Sequence, residues 1–172
     1  LSLISLLTII SANVDRITLQ YFVGAEEVGI YYLPYTVARP FTMIPAAIVV
    51  VIFPILAKKI SENKWVASNN LSNQSVKYIS LFILPFIILE FVFSDEILII
   101  LFGADAIAST NVLKFLLLGF YILAIRDPYR LQIISSGKLK YLIVITGIAL
   151  LSNIILNVLL IPSEYNGIPG AN

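Results

Sequence analysis

The chain has no cysteine and no histidine, a single methionine and a single tryptophan, and only 12% charged residues. Without cysteine or histidine there is no disulfide and no thiolate nucleophile, zinc and haem ligation through either residue is excluded, and no imidazole proton relay can form. No metal site and no bound cofactor are expected. The scarcity of charge has a counterpart in 59% hydrophobic residues and a mean hydropathy of +0.97, more apolar surface than one soluble core can hide. That composition reads as an all-α polytopic membrane protein with the lipid bilayer as its partner and no nucleic acid. The chain begins at Leu1 rather than at methionine and stops at GIPGAN, so it reads as part of a longer protein, with residues 166–172 starting a further helix.

Five segments satisfy the roughly 20 residues that a helix needs to cross about 30 Å of hydrocarbon. They are approximately 1–23, 28–57, 76–93, 110–136 and 140–161, about five helices of a six-helix lobe. The runs are too long and too continuously apolar for the alternating strands of a barrel. Lysine and arginine set orientation. The connection GAEE has no basic residue, the next carries Lys58, Lys59, Lys64 and Lys77, and SDEILIILFGADAIAS again has none. Arg126, Arg130, Lys138 and Lys140 follow the fourth helix, so the first helix enters from the cytoplasm and the protein is placed as multi-pass in the cytoplasmic membrane. The 61–75 connection reads as a polar linker, and no catalytic domain fits in any loop. SDEILIILFG reads as a short interfacial helix capped by Ser94 and stopped by Gly103.

Within the first helix, SANVDRITLQYFVG sets Asp15 beside Arg16 at membrane depth. At 100° per residue, Thr8, Ser11, Asp15 and Thr18 share one arc and Ser5, Asn13, Arg16 and Gln20 another, while Leu7, Ile10, Val14 and Ile17 form an apolar third. So polar a circumference must face protein or water, and two neighbours about 100° apart each need a partner from elsewhere. The second helix offers a face of Tyr31, Tyr35 and Arg39. With the ends of the two helices level, Asp15 lies about 13 Å and Arg39 about 16 Å deep at 1.5 Å per residue, so an Asp15–Arg39 contact is feasible. Either the charges glue helices together, or Arg16 and Arg39 line a wet cavity, bind an anionic group and leave Tyr31 and Tyr35 to stack on a sugar. The cavity reading is preferred for the cluster, with Asn13 and Gln20 as weaker members.

Asn153 and Asn157, four apart on the fifth helix, suit interhelical hydrogen bonding. Arg126, Asp127 and Arg130 lie beside Pro128, either as a snorkelling interfacial cluster or as the rim of a pathway. Glu90 is expected to reach the headgroups. Pro34, Pro40 and Pro45 interrupt the second helix, as a fixed kink or as a bending point.

DRITLQYFVGAEEVGIYYLPYTVAR, FPILAKK, LFGADAIASTNVLKFL, SSGKLK and NIILNVLLIPSEYNGIPGAN, in that order and spacing, resemble the second lobe of polysaccharide flippases of the O-antigen and teichuronic-acid type. These belong to the multidrug/oligosaccharidyl-lipid/polysaccharide superfamily. The resemblance implies a transporter of two six-helix lobes working by alternating access, with this chain as helices seven to eleven. It implies a polyprenyl-diphosphate-linked oligosaccharide as cargo, no bond made or broken, and polysaccharide polymerases or glycosyltransferases as partners. Asp15 and Arg39 match an acidic and a basic membrane residue that recur in this lobe. An aromatic often follows the acidic residue of the outer turn, where this chain reads FGADA. A coupling ion, a proton or sodium, is left open. The other readings are a cation-coupled multidrug extruder of the same superfamily and a membrane glycan polymerase or ligase, which would need a large basic outer loop.

Overall fold

In the computed structural model the backbone is described for residues 2–22 and 24–165, and side chains are described within those ranges except at 2, 3, 5, 25–27, 30 and 160–165. Among the described residues seven α-helices follow one another: α1 (Ser2–Phe22), α2 (Ala25–Ala38), α3 (Met43–Ser61), α4 (Trp65–Val92), α5 (Ser94–Phe102), α6 (Thr110–Ser135) and α7 (Leu139–Tyr165). Short 3-10 turns at Arg39–Thr42 and Ala104–Ser109 lead into α3 and α6, and no strand occurs among the described residues. Among the described residues four helical stretches, Tyr31–Ser61, Trp65–Val92, Ala104–Ser135 and Leu139–Leu159, are long and apolar enough to cross a membrane, and the expected 1–23 segment is not one of them. The expected start of a helix at 166–172 lies outside the described residues.

The chain divides into two compact units, residues 1–29 with 139–172 and residues 30–138. In the first, α1 packs along α7, burying Ile4 and Val14 of α1 with Leu142 and Leu150 of α7. In the second, Ala38, Phe41, Ile79, Ile83, Ile87, Leu98, Leu113 and Leu117 form one apolar core, and Ile52, Leu56 and Leu131 a smaller one. On α4, Ile79, Ile83 and Ile87 are buried, yet Tyr78, Leu81, Phe82, Phe86 and Leu89 on its other faces are exposed. An apolar inside with an equally apolar outside is what a hydrocarbon surround permits and water does not.

The 61–75 linker expected from composition is helix from Trp65 onward. Its serines explain why. Ser68, Ser72 and Ser75 are buried along one stripe of α4, small enough for α6 to come close, as small residues do between membrane helices. A ladder of hydrogen bonds then runs up the α4–α6 seam. Gln132 accepts from Ser72 Oγ at 3.2 Å and donates through Nε2 to Asn69, Tyr129 donates to Asn73 Oδ1 at 2.9 Å, and Tyr121 to Ser80 Oγ at 3.0 Å. As the chain climbs α4 its partners recede along α6, so the two helices are antiparallel.

The remaining turns follow local chemistry. Pro40 has no N–H to give and disfavours helix in the residue before it, and the helix breaks there into the Arg39–Thr42 turn. Past α3, Asn63 takes the left-handed conformation (φ 58°) that asparagine tolerates best among residues with a side chain. The Lys64 Nζ beside it, 2.6 Å from Glu62 Oε2, holds that exposed carboxyl below its ordinary range. The short helix expected at SDEILIILFG is present and stops at Gly103 (φ 92°). Ser94 does not cap it, because its Oγ donates back to the Phe91 carbonyl at 3.2 Å. The side chain of Asp95 instead accepts from Thr110 Oγ1, tying α5 to the start of α6.

Gln132→Ala removes two rungs of the α4–α6 ladder at once. It should lower resistance to unfolding in a denaturing detergent by about 1–2 kcal/mol, at the upper end of what such bonds contribute in membranes. Unchanged stability would show the ladder to be idle.

Candidate functional site

The first unit resolves the charges of SANVDRITLQYFVG. Much of the polar circumference of α1 needs no outside partner: Thr8, Ser11 and Thr18 donate to the carbonyls of Ile4, Leu7 and Val14 at 2.7–2.8 Å, and Asn13 Nδ2 to Ile9 at 2.8 Å. Serine and threonine satisfy themselves this way within a helix. Asn13, exposed and turned onto its own backbone, therefore contributes little to a site.

Asp15 is held from α7. Its Oδ1 accepts from Asn153 Nδ2 at 2.9 Å and from Asn157 Nδ2 at 2.8 Å, and Asn157 Nδ2 also lies 3.3 Å from Asn153 Oδ1. Two amide donors converge on one oxygen, which lowers the cost of taking that carboxyl group out of water. Asp15 and Arg39 fall in different units, and these partners of Asp15 lie within its own. The asparagine pair was legible as a hydrogen-bonding face; that its target is Asp15 was not.

Arg16, around the helix from Asp15, is half-buried and lines an open groove of about 640 Å³ with Ile17, Gln20, Tyr21 and Val28. Ile17 and Tyr21 are well exposed. The groove therefore has a guanidinium and a carboxamide on an otherwise apolar wall, the mix expected of a site for a ligand with both polar and apolar parts.

In the second unit the tyrosines of α2 stack. Ring centroids of Tyr31 and Tyr35 are 6.3 Å apart with planes at 27°, and Tyr32, which the helical projection left aside, lies 6.1 Å from Tyr35 at 22°. Tyr35 also meets Phe120 of α6 at 5.7 Å. One turn on from Tyr35, Arg39 is exposed at the start of the 3-10 turn, its carbonyl accepting from Thr42 Oγ1 at 2.8 Å. Arg39 thus sits where the long helix is broken, beside an aromatic platform. Farther along α6, Arg126 Nη2 lies 3.3 Å from Asp127 Oδ1, an exposed neighbouring pair, while Arg130 is half-buried and Pro128 fully so. The pair is a local surface feature.

Helices bathed in apolar residues, with isolated charges at depth, define a multi-pass α-helical membrane protein. Residues 1–111 match the family model described as polysaccharide biosynthesis protein, a span that includes Asp15, Arg16, Tyr31, Tyr35 and Arg39, and the chain belongs to that family. It is 28% identical over 130 residues to the teichuronic acid biosynthesis protein TuaB of Bacillus subtilis (strain 168). It is 34% identical over 132 residues to a Shigella flexneri protein provisionally named O-antigen transporter. Each comparison covers 75% of this chain but only 26% and 31% of the relatives' own lengths. No solved structure matches.

A double-mutant cycle on Asp15→Ala and Asn157→Ala should return a coupling of about 1 kcal/mol in detergent unfolding, the scale of interhelical bonds in membranes. Simple additivity would show that the carboxylate gains nothing from α7.

Proposed function

We propose that the protein is a flippase for a polyprenyl-diphosphate-linked oligosaccharide, serving cell-surface polysaccharide synthesis as part of a two-lobed transporter in the cytoplasmic membrane. The observation that carries this reading is Arg39: an exposed guanidinium at the break of a membrane-length helix, one turn from a tyrosine stack, in a chain of the polysaccharide biosynthesis family. A guanidinium matches a diphosphate through paired N–H donors, and tyrosine faces match sugar rings. Arg16 and Gln20 offer a second cationic element on the other unit.

The work is physical. A cationic, hydroxyl-rich surface replaces the water around the diphosphate and glycan while the lipid tail remains in the bilayer, and no covalent bond changes. The break at Arg39–Thr42 lets α2 and α3 change angle as access alternates between the two sides. The first helix enters from the cytoplasm, and glycosyltransferases and a polysaccharide polymerase act before and after the transport step. The teichuronic-acid and O-antigen names of the two relatives support this cargo class. A multidrug extruder exchanging an ion at Asp15 is less well supported, because both amides of the α7 pair already engage that carboxylate.

Arg39→Ala in the full-length protein, expressed at wild-type level in cells dependent on it, should abolish surface polysaccharide. Unimpaired export would overturn the assignment of Arg39 to the cargo. Arg39→Lys keeps the charge but loses the paired donors and should export at an intermediate level.

A further inference from the structure

Lys114 is the one basic residue between Lys77 and Arg126, in a stretch that otherwise carries Glu90, Asp95, Glu96 and Asp105. The charge pattern that sets orientation keeps lysine and arginine at the other end of these helices, so a lysine here needs a reason of its own. It lies in the second turn of α6, half-buried, and takes no part in the ion pairs among the described residues, Lys64–Glu62 and Arg126–Asp127. Its Nζ rests over the ring of Phe91 on α4, 5.6 Å from the centroid.

Phe91 is also part of the wall of an apolar groove of about 250 Å³ between α4 and α6. Leu84, Ile88, Phe91 and Val92 line it from α4 and Leu118 and Tyr121 from α6, with Ile87 buried beneath. On α6, Lys114, Leu118 and Tyr121 recur at i, i+4 and i+7, so the lysine heads that wall at the end nearest α5. At the other end the Tyr121 hydroxyl donates to Ser80 Oγ at 3.0 Å, the last rung of the α4–α6 ladder among the described residues. Past that rung the two helices are joined by apolar contact, and Leu84, Ile88 and Leu118 are exposed on the groove. Glu90 is not among its lining residues: it projects about 100° around α4 from Phe91. The expectation that Glu90 reaches the headgroups is not met, because it is half-buried and its Oε2 is buried with no hydrogen-bond partner. Asp95, on α5, accepts from Thr110.

An apolar trough with one ammonium at the end nearer the membrane surface has the polarity of a phospholipid, chain below and phosphate above. From Leu84 to Val92 the α4 wall runs about 12 Å at 1.5 Å per residue, room for part of a chain. A lysine on an aromatic face is held weakly enough to turn its N–H donors to an anion, and its compact charge suits a single phosphate where the fork of an arginine suits a diphosphate. We propose that this groove is a binding site for an anionic phospholipid, with one acyl chain between α4 and α6 and the phosphate on Lys114. The chain fills the seam where its hydrogen-bonded ladder ends, and the phosphate gives the stray lysine its partner. The site rests on the membrane placement of these helices and not on the flippase reading.

The test uses full-length protein in phosphatidylcholine vesicles with a trace of photoactivatable phosphatidylglycerol, its acyl chain carrying a diazirine, and maps the cross-linked peptides. Residues 84–92 and 115–121 of the wild type should be labelled about fivefold more than by a phosphatidylcholine probe of the same chain, the weight of one basic residue at an anionic membrane surface. That comparison needs no variant. Lys114→Gln should remove the excess while labelling elsewhere stays as it is, and Lys114→Arg should retain most of it. Equal labelling of the wild type by the two probes overturns the proposal, as does a Lys114→Gln protein labelled like wild type. If a polyprenyl phosphate displaces the probe at a lower concentration than unlabelled phosphatidylglycerol does, the groove belongs to a transported lipid's tail and the proposal fails.

Discussion

A polar side chain inside a bilayer has no water to return to, and that constraint organises nearly everything in this chain. It is met in three ways. Hydroxyls and an amide on α1 turn back onto their own helix; Asp15 is gripped by two asparagines of α7; and α4 and α6 pool their serines, asparagines, tyrosines and a glutamine into a shared seam. Arg39 follows none of these solutions and is exposed at a helix break. The contrast between groups bonded within the fold and an exposed one at a helix break is what made Arg39 the residue on which the proposed function rests.

The second unit joins parts of different stiffness. Along the α4–α6 seam side-chain bonds at Asn69, Ser72, Asn73 and Ser80 join buried apolar contacts, so the pair is suited to act as one body. Between α2 and α3 the regular helix is interrupted at Pro40, where Ala38 and Phe41 pack into the core. The proposed flippase function would call for both kinds of element: one that keeps its shape and one that can be bent at low cost.

The helical class was legible because unbroken apolar runs of that length have few other uses, but five membrane-length segments were expected and four are found among the described residues, the 1–23 segment not being one of them. The helix break at Pro40 and the stop at Gly103 were legible because proline and glycine act through their own backbone chemistry. The start of α4 was not. WVASNNLSNQSV is as polar as a linker, and only a neighbouring helix presenting Tyr129 and Gln132 reveals that its serines face inward while Asn69 and Asn73, exposed beside them, bond across to that helix. The same gap explains Asp15. A helical projection shows which side of a helix is polar, but it cannot show that Thr8, Ser11, Asn13 and Thr18 satisfy themselves, nor which distant helix supplies the donors. Asn153 and Asn157 could be read as a pair; their target lies 138 residues away in sequence, beyond any local pattern.

That separation also bears on how the protein is made. Residues 30–138 form the second unit from a single continuous stretch, whereas the first draws on both ends of the chain. At the usual pace of the ribosome, about 5–20 residues per second, α1 spends roughly 7–28 s in the translocation machinery or the lipid before Asn153 and Asn157 exist. During that interval Asp15 awaits its two amide donors. Of the described helices α1 is the earliest made, yet it is among the last to gain its side-chain partners.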